Sequence, residues 1–422
     1  MALIVQKFGG SSVADPERIR TVADHVARTV RRGNQVVVTV SAMGKTTDDL
    51  IRLANAVLTN QSTPVERATA KGDVPVKGDS REMDMLLTAG ERISAALVAM
   101  AIDDLGVPAA SFTGSQAGIV TDTRHGRAKI LEVKGDRLRE ALANGMVPVV
   151  AGFQGVSTTR DITTLGRGGS DTTAVAIAAA LGADVCEIYT DVTGVFTADP
   201  RICSKARRMS VISHEEMLEM AATGSGVLAL RAVEFASNHR VMLHVRSSFT
   251  WEPGTLVKEQ DPTMEQAIVS GITHDTTEVK VTVAGVPDRP GVAAQLFRRL
   301  ANDYINVDMI VQNTSHDQIT DISFTVPKND MATALAATNE VAKAIGAKTV
   351  THDAGIARVS IVGAGMKTNP GVSATMFETL ANAGVNIEMI STSTIRLSCV
   401  VRADQVETAV TALHTAFGLD AK

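Results

Sequence analysis

Apolar residues along this chain follow two rhythms. Short unbroken apolar runs at residues 2–6, 35–41, 147–152 and 184–190 read as strands buried on both faces. Between them the apolar positions recur every three to four residues, which predicts helices over 15–31, 48–57, 83–105 and 171–181. Asp15 followed by Pro16 is the start signal of the first of these, an N-cap with proline at the first helical position. Alternation of strand and helix predicts an α/β unit, a mostly parallel sheet sandwiched by helices. The rhythm fails in two places. Residues 59–80 are rich in Pro, Gly, Lys, Thr and Asp and predict an exposed loop, and residues 251–261 predict a domain boundary.

Beyond that boundary the pattern repeats itself. Residues 290–310 (PGVAAQLFRRLANDYINVDMI) and 370–390 (PGVSATMFETLANAGVNIEMI) share 11 of 21 positions at a constant offset of 80, so two copies of one module follow the first domain. The first copy reads strand 279–285, helix 291–302, strands 307–312 and 320–326, then helix 331–345, the ferredoxin-like βαββαβ order. The expected division is therefore 1–255, 265–350 and 351–422. A short strand over 266–273 could pair with the second module rather than the first. Each Pro-Gly loop opens a helix whose free N–H groups can receive a carboxylate or simply start the helix.

Composition narrows the classes of function. A net charge of −5 gives no electrostatic reason to expect a nucleic acid or an anionic membrane, and 3% aromatic content is poor material for stacking bases. A small-molecule ligand is the expectation. Cys186, Cys203 and Cys399 sit at no metal or CxxC spacing, and their odd number suits a reducing compartment. The N-terminus reaches Lys7 too soon for a signal peptide, and no apolar stretch approaches the ~18 residues of a membrane helix. A cytoplasmic protein is expected.

The candidate chemistry lies where strands give way to helices. Lys7-Phe-Gly-Gly-Ser-Ser12 follows the first strand; Gly9 and Gly10 would let the backbone approach an anion, and Lys7 would reach a transferring phosphate, unless the segment is only a tight turn. Gly166-Arg-Gly-Gly-Ser-Asp171 opens a helix. Its amides and Ser170 can hold an anion, Arg167 can fork onto a carboxylate, and Asp171 would face Lys7; a plain helix cap is the alternative. Thr190-Asp-Val-Thr-Gly-Val-Phe-Thr-Ala-Asp-Pro-Arg201 ends another strand in hydroxyls and carboxylates placed to line a nucleotide or to form an ordinary loop. Glu91, inside an apolar helix, needs either a salt bridge or a ligand ammonium. Gly44-Lys45-Thr46 mimics the tail of a P-loop, but Thr39 stands where that motif needs glycine. The protein-kinase DFG and HRD signatures are absent.

Together these segments, with Ser41-Ala-Met43, Thr88-Ala-Gly-Glu-Arg92, Phe112-Thr-Gly-Ser-Gln116 and Ala198-Asp-Pro-Arg201, resemble the aspartate kinases. The likeness covers nearly the whole chain and is greatest to the bacterial monofunctional type with paired C-terminal ACT domains. It implies an amino-acid-kinase fold followed by two ACT modules, and phosphorylation of the β-carboxylate of L-aspartate by ATP with Mg²⁺ as cofactor. No protein metal site is implied. In this likeness Lys7 and Asp171 are catalytic, and Ser41, Thr47, Glu91, Arg167, Gly168, Gly169 and Ser170 bind substrate. ATP would meet Lys7, Phe8, Gly9, Gly10, Ser41 and Ser170 on one side and Thr190, Asp191, Phe196, Asp199 and Arg201 on the other.

The same resemblance places feedback effectors, lysine and/or threonine, on the ACT modules at Asp288, Gly291, Ala293, Asn306, Asp308 and Gln312, and at Asn386, Ile387, Ser393 and Thr394. It implies a homo-oligomer, or a hetero-oligomer with a small ACT-only subunit. Two positions depart from the family. Gly226 stands where a phosphate-contacting lysine is usual, with Lys205 or Arg207 as possible substitutes, and Thr394 stands where an acidic residue is usual. Gly226 motivates one alternative, a weak or dead paralogue that serves as an amino-acid-sensing subunit.

Overall fold

The strand Leu3–Phe8 lies inside the largest sheet, and Lys7 sits near its C-terminal end. The computed structural model describes residues 1–58, 80–250, 252–259, 267–314 and 318–420. The expected loop at 59–80 lies outside the described residues except for Ser80, which begins a helix. Two compact units result. The first comprises Met1–Val195, Arg208–Ala221 and Gly226–Thr263; the second comprises Phe196–Arg207, Ala222–Ser225 and Met264–Lys422.

In the first unit eight strands run in the order Val211–Ser213, Thr255–Lys258, Leu243–Ser247, Val185–Thr190, Leu3–Phe8, Gln35–Val40, Val147–Ala151 and Ala109–Phe112. Only Leu243–Ser247 and Thr255–Lys258 pair antiparallel, so the expected mostly parallel sheet is present. The central strands are apolar on both faces because helices cover both. Helices Pro16–Arg31 and Ser80–Asp104 bury Ile19, Val22, Val26, Val98 and Ile102 against Phe8, Val36, Val38 and Val40. Asp15 caps the first, accepting a bond from Arg18 N at 2.9 Å. Helix Gly169–Leu181, almost wholly apolar along Ala174–Ala178, packs on the opposite face, which Val5 and Lys7 share.

Ser80–Asp104 is the one helix among the described residues that is long and apolar enough to cross a membrane, contrary to the expectation that no such stretch exists. Half of its most apolar window is buried in the unit, the pattern of a core helix. Two other features were not foreseen. The compositional break before the expected domain boundary carries a sheet strand, Thr255–Lys258, which turns back so closely that a Cβ on Gly254 would lie 1.7 Å from Val245 O. A small second sheet, Ile130–Val133, Ile119–Thr121, Gln154–Ser157 and Ile162–Thr164, is built from strands of three or four residues, too short for an alternation to show.

The second unit holds two four-stranded sheets, each with two helices. The first module packs Val279, Val281, Leu296, Leu300 and Phe324 into one core, and the second packs Val359, Ile361, Met376, Leu380 and Leu413 into another. Gly291 and Gly371, 80 residues apart, both adopt φ near +95 to +99° and cap the helices Val292–Asn302 and Val372–Asn382. The expected strand at 307–312 begins only at Ile310.

Strand Gly271–Asp275 pairs with Ile356–Val362 of the second module, while Thr349–Asp353 closes the first module's sheet. The 265–350 stretch thus lends Gly271–Asp275 to the second module's sheet, as the expectation for 266–273 allowed, and Thr349–Asp353 straddles the expected boundary at 350. Segments 196–207 and 222–225 also belong to this unit. Thr197 Oγ1 bonds His414 Nε2 at 2.8 Å, and Thr223 Oγ1 bonds Thr273 Oγ1 at 2.6 Å.

Candidate active site

Loops after four neighbouring strands of the central sheet converge, as ligand sites in open α/β sheets do. Lys7 lies level with Thr39 and Ile188 on the adjoining strands. Its Nζ is 2.6 Å from Asp171 Oδ1, with both side chains about nine-tenths buried. Asp171 belongs to the first turn of Gly169–Leu181, so the sheet and the helix start hold the two charges together. Gly10 is needed for closeness: a Cβ there would come within 2.8 Å of Ala42 O, whereas one on Gly9 would make ordinary contact 3.5 Å from Lys7 Nζ. The turn thus lies against Ser41 and Ala42, and Ser41 N donates to Phe8 O at 3.1 Å.

The glycine-rich stretch is a loop leading into a helix. Gly168 is left-handed, with φ 70°, and caps Gly169–Leu181, while Gly169 N donates to Gly166 O. Ser170 is buried against Gly152, where a Cβ would lie 2.9 Å from its Oγ. Arg167 is exposed between these pinned glycines. The arrangement presents a helix N-terminus and a guanidinium to an anion beside the Lys7–Asp171 pair.

Glu91 meets no salt bridge among the described residues. It is 4% exposed; Oε1 accepts a bond from Ala42 N at 3.2 Å, and Oε2 is buried without a partner. Burial pushes its pKa up to about 7, against the two backbone hydrogen bonds that lower it. A buried carboxylate with one unsatisfied oxygen can receive an ammonium group. Ser94 Oγ, one helical turn on, donates to Ser41 O at 2.7 Å and ties this helix to the same loop.

Other expected residues are distributed less simply. Thr47 is half-buried in helix Thr46–Val57, and Thr190 and Asp191 end the strand Val185–Thr190, joined by a 3.1 Å hydrogen bond. Phe196, Asp199 and Arg201 belong to the second unit, where Arg201 takes up the Asp199 carboxylate at 2.6 Å. Lys205 is held by Asp420 at 3.2 Å and Arg207 donates to Leu419 O at 2.7 Å, so both proposed stand-ins for the missing lysine are engaged within the second unit. Gly226 itself is exposed, with nothing within 4 Å of a Cβ built there.

In the second unit Asp288, Gly291 and Ala293 line a cavity of about 360 Å³ together with Gln312, Thr320 and Ile322. The remaining effector positions are not part of its lining. Asn306 is exposed, and Asp308 pairs with the fully buried Arg358, which also meets Glu278 at 3.0 Å. Asn386, Ser393 and Thr394 are exposed on the second module, and Ile387 is half-buried there.

Sequence reading missed Asp84, Arg231 and Ser248. Asp84 is fully buried seven residues before Glu91 on the same helix face, a spacing that could have flagged it; Thr164 Oγ1 donates to it at 2.6 Å. Ser248 Oγ lies 2.5 Å from Ser12 Oγ, beyond the end of Leu243–Ser247.

Residues 2–247 match the model of the amino acid kinase family, and residues 279–341 and 359–417 match an ACT domain. An aspartokinase of Mycolicibacterium smegmatis is 55% identical over 99% of this chain and 97% of its own length. An aspartate kinase of Pseudomonas fluorescens is 51% identical over 100% and 98%. The crystal structure of E. coli aspartokinase III in complex with aspartate and ADP is similar with a TM-score of 0.80, at 26% identity over 98% of this chain and 99% of that one. The chain belongs to the aspartokinase family.

As an aspartokinase it is an ATP-dependent aspartate kinase that feeds amino-acid biosynthesis and is regulated through its ACT domains. The expected fold class stands, kinase unit first and ACT modules after it. The likeness to a catalytic family extends over the entire aspartokinase chain, and the Lys7–Asp171 pair is assembled, which favours a working kinase over a dead sensor subunit.

Proposed function

We propose that the enzyme transfers the γ-phosphoryl group of MgATP to the β-carboxylate of L-aspartate, giving an acyl phosphate. The observation that carries this reading is the 2.6 Å Lys7–Asp171 pair beside the opening of the helix Gly169–Leu181. The nucleophile is a carboxylate with an ordinary pKa near 4, ionised at neutral pH, so no general base is required. Catalysis then rests on alignment and on neutralising charge. Lys7 meets the transferring phosphoryl group, and Asp171 keeps its ammonium aimed. Arg167 grips the substrate α-carboxylate, Glu91 takes its ammonium into the unsatisfied Oε2, and Ser41, Thr47 and the 168–170 segment line the remaining edge.

ATP lies along Phe8, Gly9 and Gly10, near Ser41 and Ser170, with Thr190 and Asp191 on its far side. Mg²⁺ bound with the nucleotide would supply charge neutralisation for the transferring phosphoryl group. The donor set fits a metal carried mainly by phosphates and water, because Asp171 is engaged by Lys7. Lysine and/or threonine bind the cavity lined by Asp288 and Gln312. Assembly with a second copy, or with a small ACT-only subunit, uses the outer strands Ile310–Thr314 and Met389–Thr392, where Ile310 and Ile390 are exposed at matching repeat positions. The free, buried thiols Cys186, Cys203 and Cys399 suit a cytoplasmic setting.

Trapping acyl phosphate with hydroxylamine, with ATP and L-aspartate, tests the reading. Hydroxamate that depends on both substrates supports it; hydroxamate formed equally well from glutamate, or none at all, overturns it. Adding lysine and threonine singly and together to the same assay identifies the effector.

A further inference from the structure

The loop that presents Arg167 is pinned from both sides. On one side the guanidinium of Arg231, in the first turn of helix Leu230–His239, donates from Nη1 to Leu165 O at 2.9 Å and from Nη2 to Ala128 O at 2.8 Å. Ala128 N in turn donates to Thr164 O at 2.9 Å, closing a three-way junction of backbone segments. Ala229, the cap of the same helix, lies so near Gly168 that a Cβ there would come within 2.2 Å of its own. On the other side Asp84 receives Thr164 Oγ1 and Gly126 N. An exposed arginine in a glycine-rich loop would otherwise sample many positions, and ordering it beforehand lowers the entropic cost of gripping substrate.

We propose that Arg231 is a positioning residue for aspartate: acting through Leu165, it holds Arg167 and the 168–170 amides in register with the substrate α-carboxylate. The inference rests on the reading of Arg167 given under Proposed function. A planar fork suits the task, because its two parallel N–H groups span two carbonyls at once, which a lysine ammonium does only with poorer geometry. The nucleotide side is built mainly on Phe8–Gly10, Thr190 and Asp191, which Arg231 does not touch, and shares only Ser170 with the pinned segment. The loss of Arg231 should therefore fall mainly on aspartate.

The test compares wild type, Arg231→Met and Arg231→Lys in the full-length enzyme, measuring kcat, both KM values, the Tm and the rate of tryptic cleavage after Arg167. The expected result for Arg231→Met is an aspartate KM raised about ten- to a hundredfold, the effect of mispositioning one recognition group. The ATP KM should stay within about twofold, cleavage after Arg167 should be faster, and Arg231→Lys should be intermediate. Equal losses for both substrates that track the Tm would show a merely structural residue and overturn the proposal. Unchanged kinetics with unchanged cleavage would overturn it as well. Faster cleavage with an unchanged aspartate KM would show that Arg231 holds the loop but that Arg167 does not read aspartate, which overturns the substrate role and locates the failure in the underlying reading.

Discussion

Lys7 and Asp171, 164 residues apart in sequence, meet as a 2.6 Å ion pair because a strand end and a helix start face each other across the sheet surface. Each is about 10–14% exposed, so water screens the pair little. Lys7→Met should reduce kcat by about a hundred- to a thousandfold, the effect of removing a donor aimed at developing charge. Asp171→Asn, which leaves the ammonium in place but less well aimed, should cost about ten- to a hundredfold. If the two act as one unit, the double variant will be no slower than Lys7→Met alone. Additive losses in a steady-state assay would separate their roles.

Glu91 makes a prediction about pH. Its folded-state pKa of about 7 lies above the ordinary 4.5, so between those values the folded enzyme binds more protons than the unfolded chain. The stability contribution is thus fully present below pH 4.5 and is lost as pH rises through about 7. Glu91→Gln mimics the protonated acid. It should match wild type in urea unfolding at pH 5 and exceed it by ~2 kcal/mol at pH 8. The same variant should bind aspartate more weakly and lack the rise in aspartate KM expected of wild type below pH 7. A variant less stable at pH 8 would mean that the carboxylate is compensated by a partner.

Much of this architecture could be read before any coordinates. The central strands announced themselves because both faces are buried, and the 80-residue repeat revealed the paired modules. Lys7, Asp171 and Glu91 were legible because glycine turns and a charge on an apolar helix are local anomalies. What escaped depends on distant partners. Arg231 is an unremarkable helical arginine until Leu165 and Ala128 are brought to it, whereas the pairing of Gly271–Asp275 with the second module's Ile356–Val362 was foreseen as one of two options. Phe196, Asp199 and Arg201 followed a strand in sequence but fold with the second unit.

If the cavity at Gly291 takes the effector, changes there should alter regulation and leave catalysis alone. Gln312 is exposed at its edge and Asp288 lies in the loop before the helix. Gln312→Ala should raise the lysine or threonine concentration needed for half-inhibition about tenfold, equivalent to one lost hydrogen bond. Uninhibited kcat should be unchanged. Inhibition curves identical to wild type would place the effector elsewhere, with the exposed Asn386–Thr394 region of the second module the next to vary.

Gly226 offers the most direct test of whether the site lacks a cation. The position is exposed, outside the left-handed backbone region, and open for 4 Å around a Cβ, so lysine can be introduced without strain. The two candidates for compensation are engaged within the second unit, Lys205 by Asp420 and Arg207 by Leu419 O. If a phosphate contact is missing, Gly226→Lys should raise kcat several-fold, up to about tenfold for one charge-assisted bond formed in the transition state. Gly226→Ala, which makes the same change to the backbone without the charge, should leave kcat unchanged. A rise in both variants would trace the effect to chain stiffness, and no rise in either would mean that Lys7 and MgATP already neutralise the transferring group.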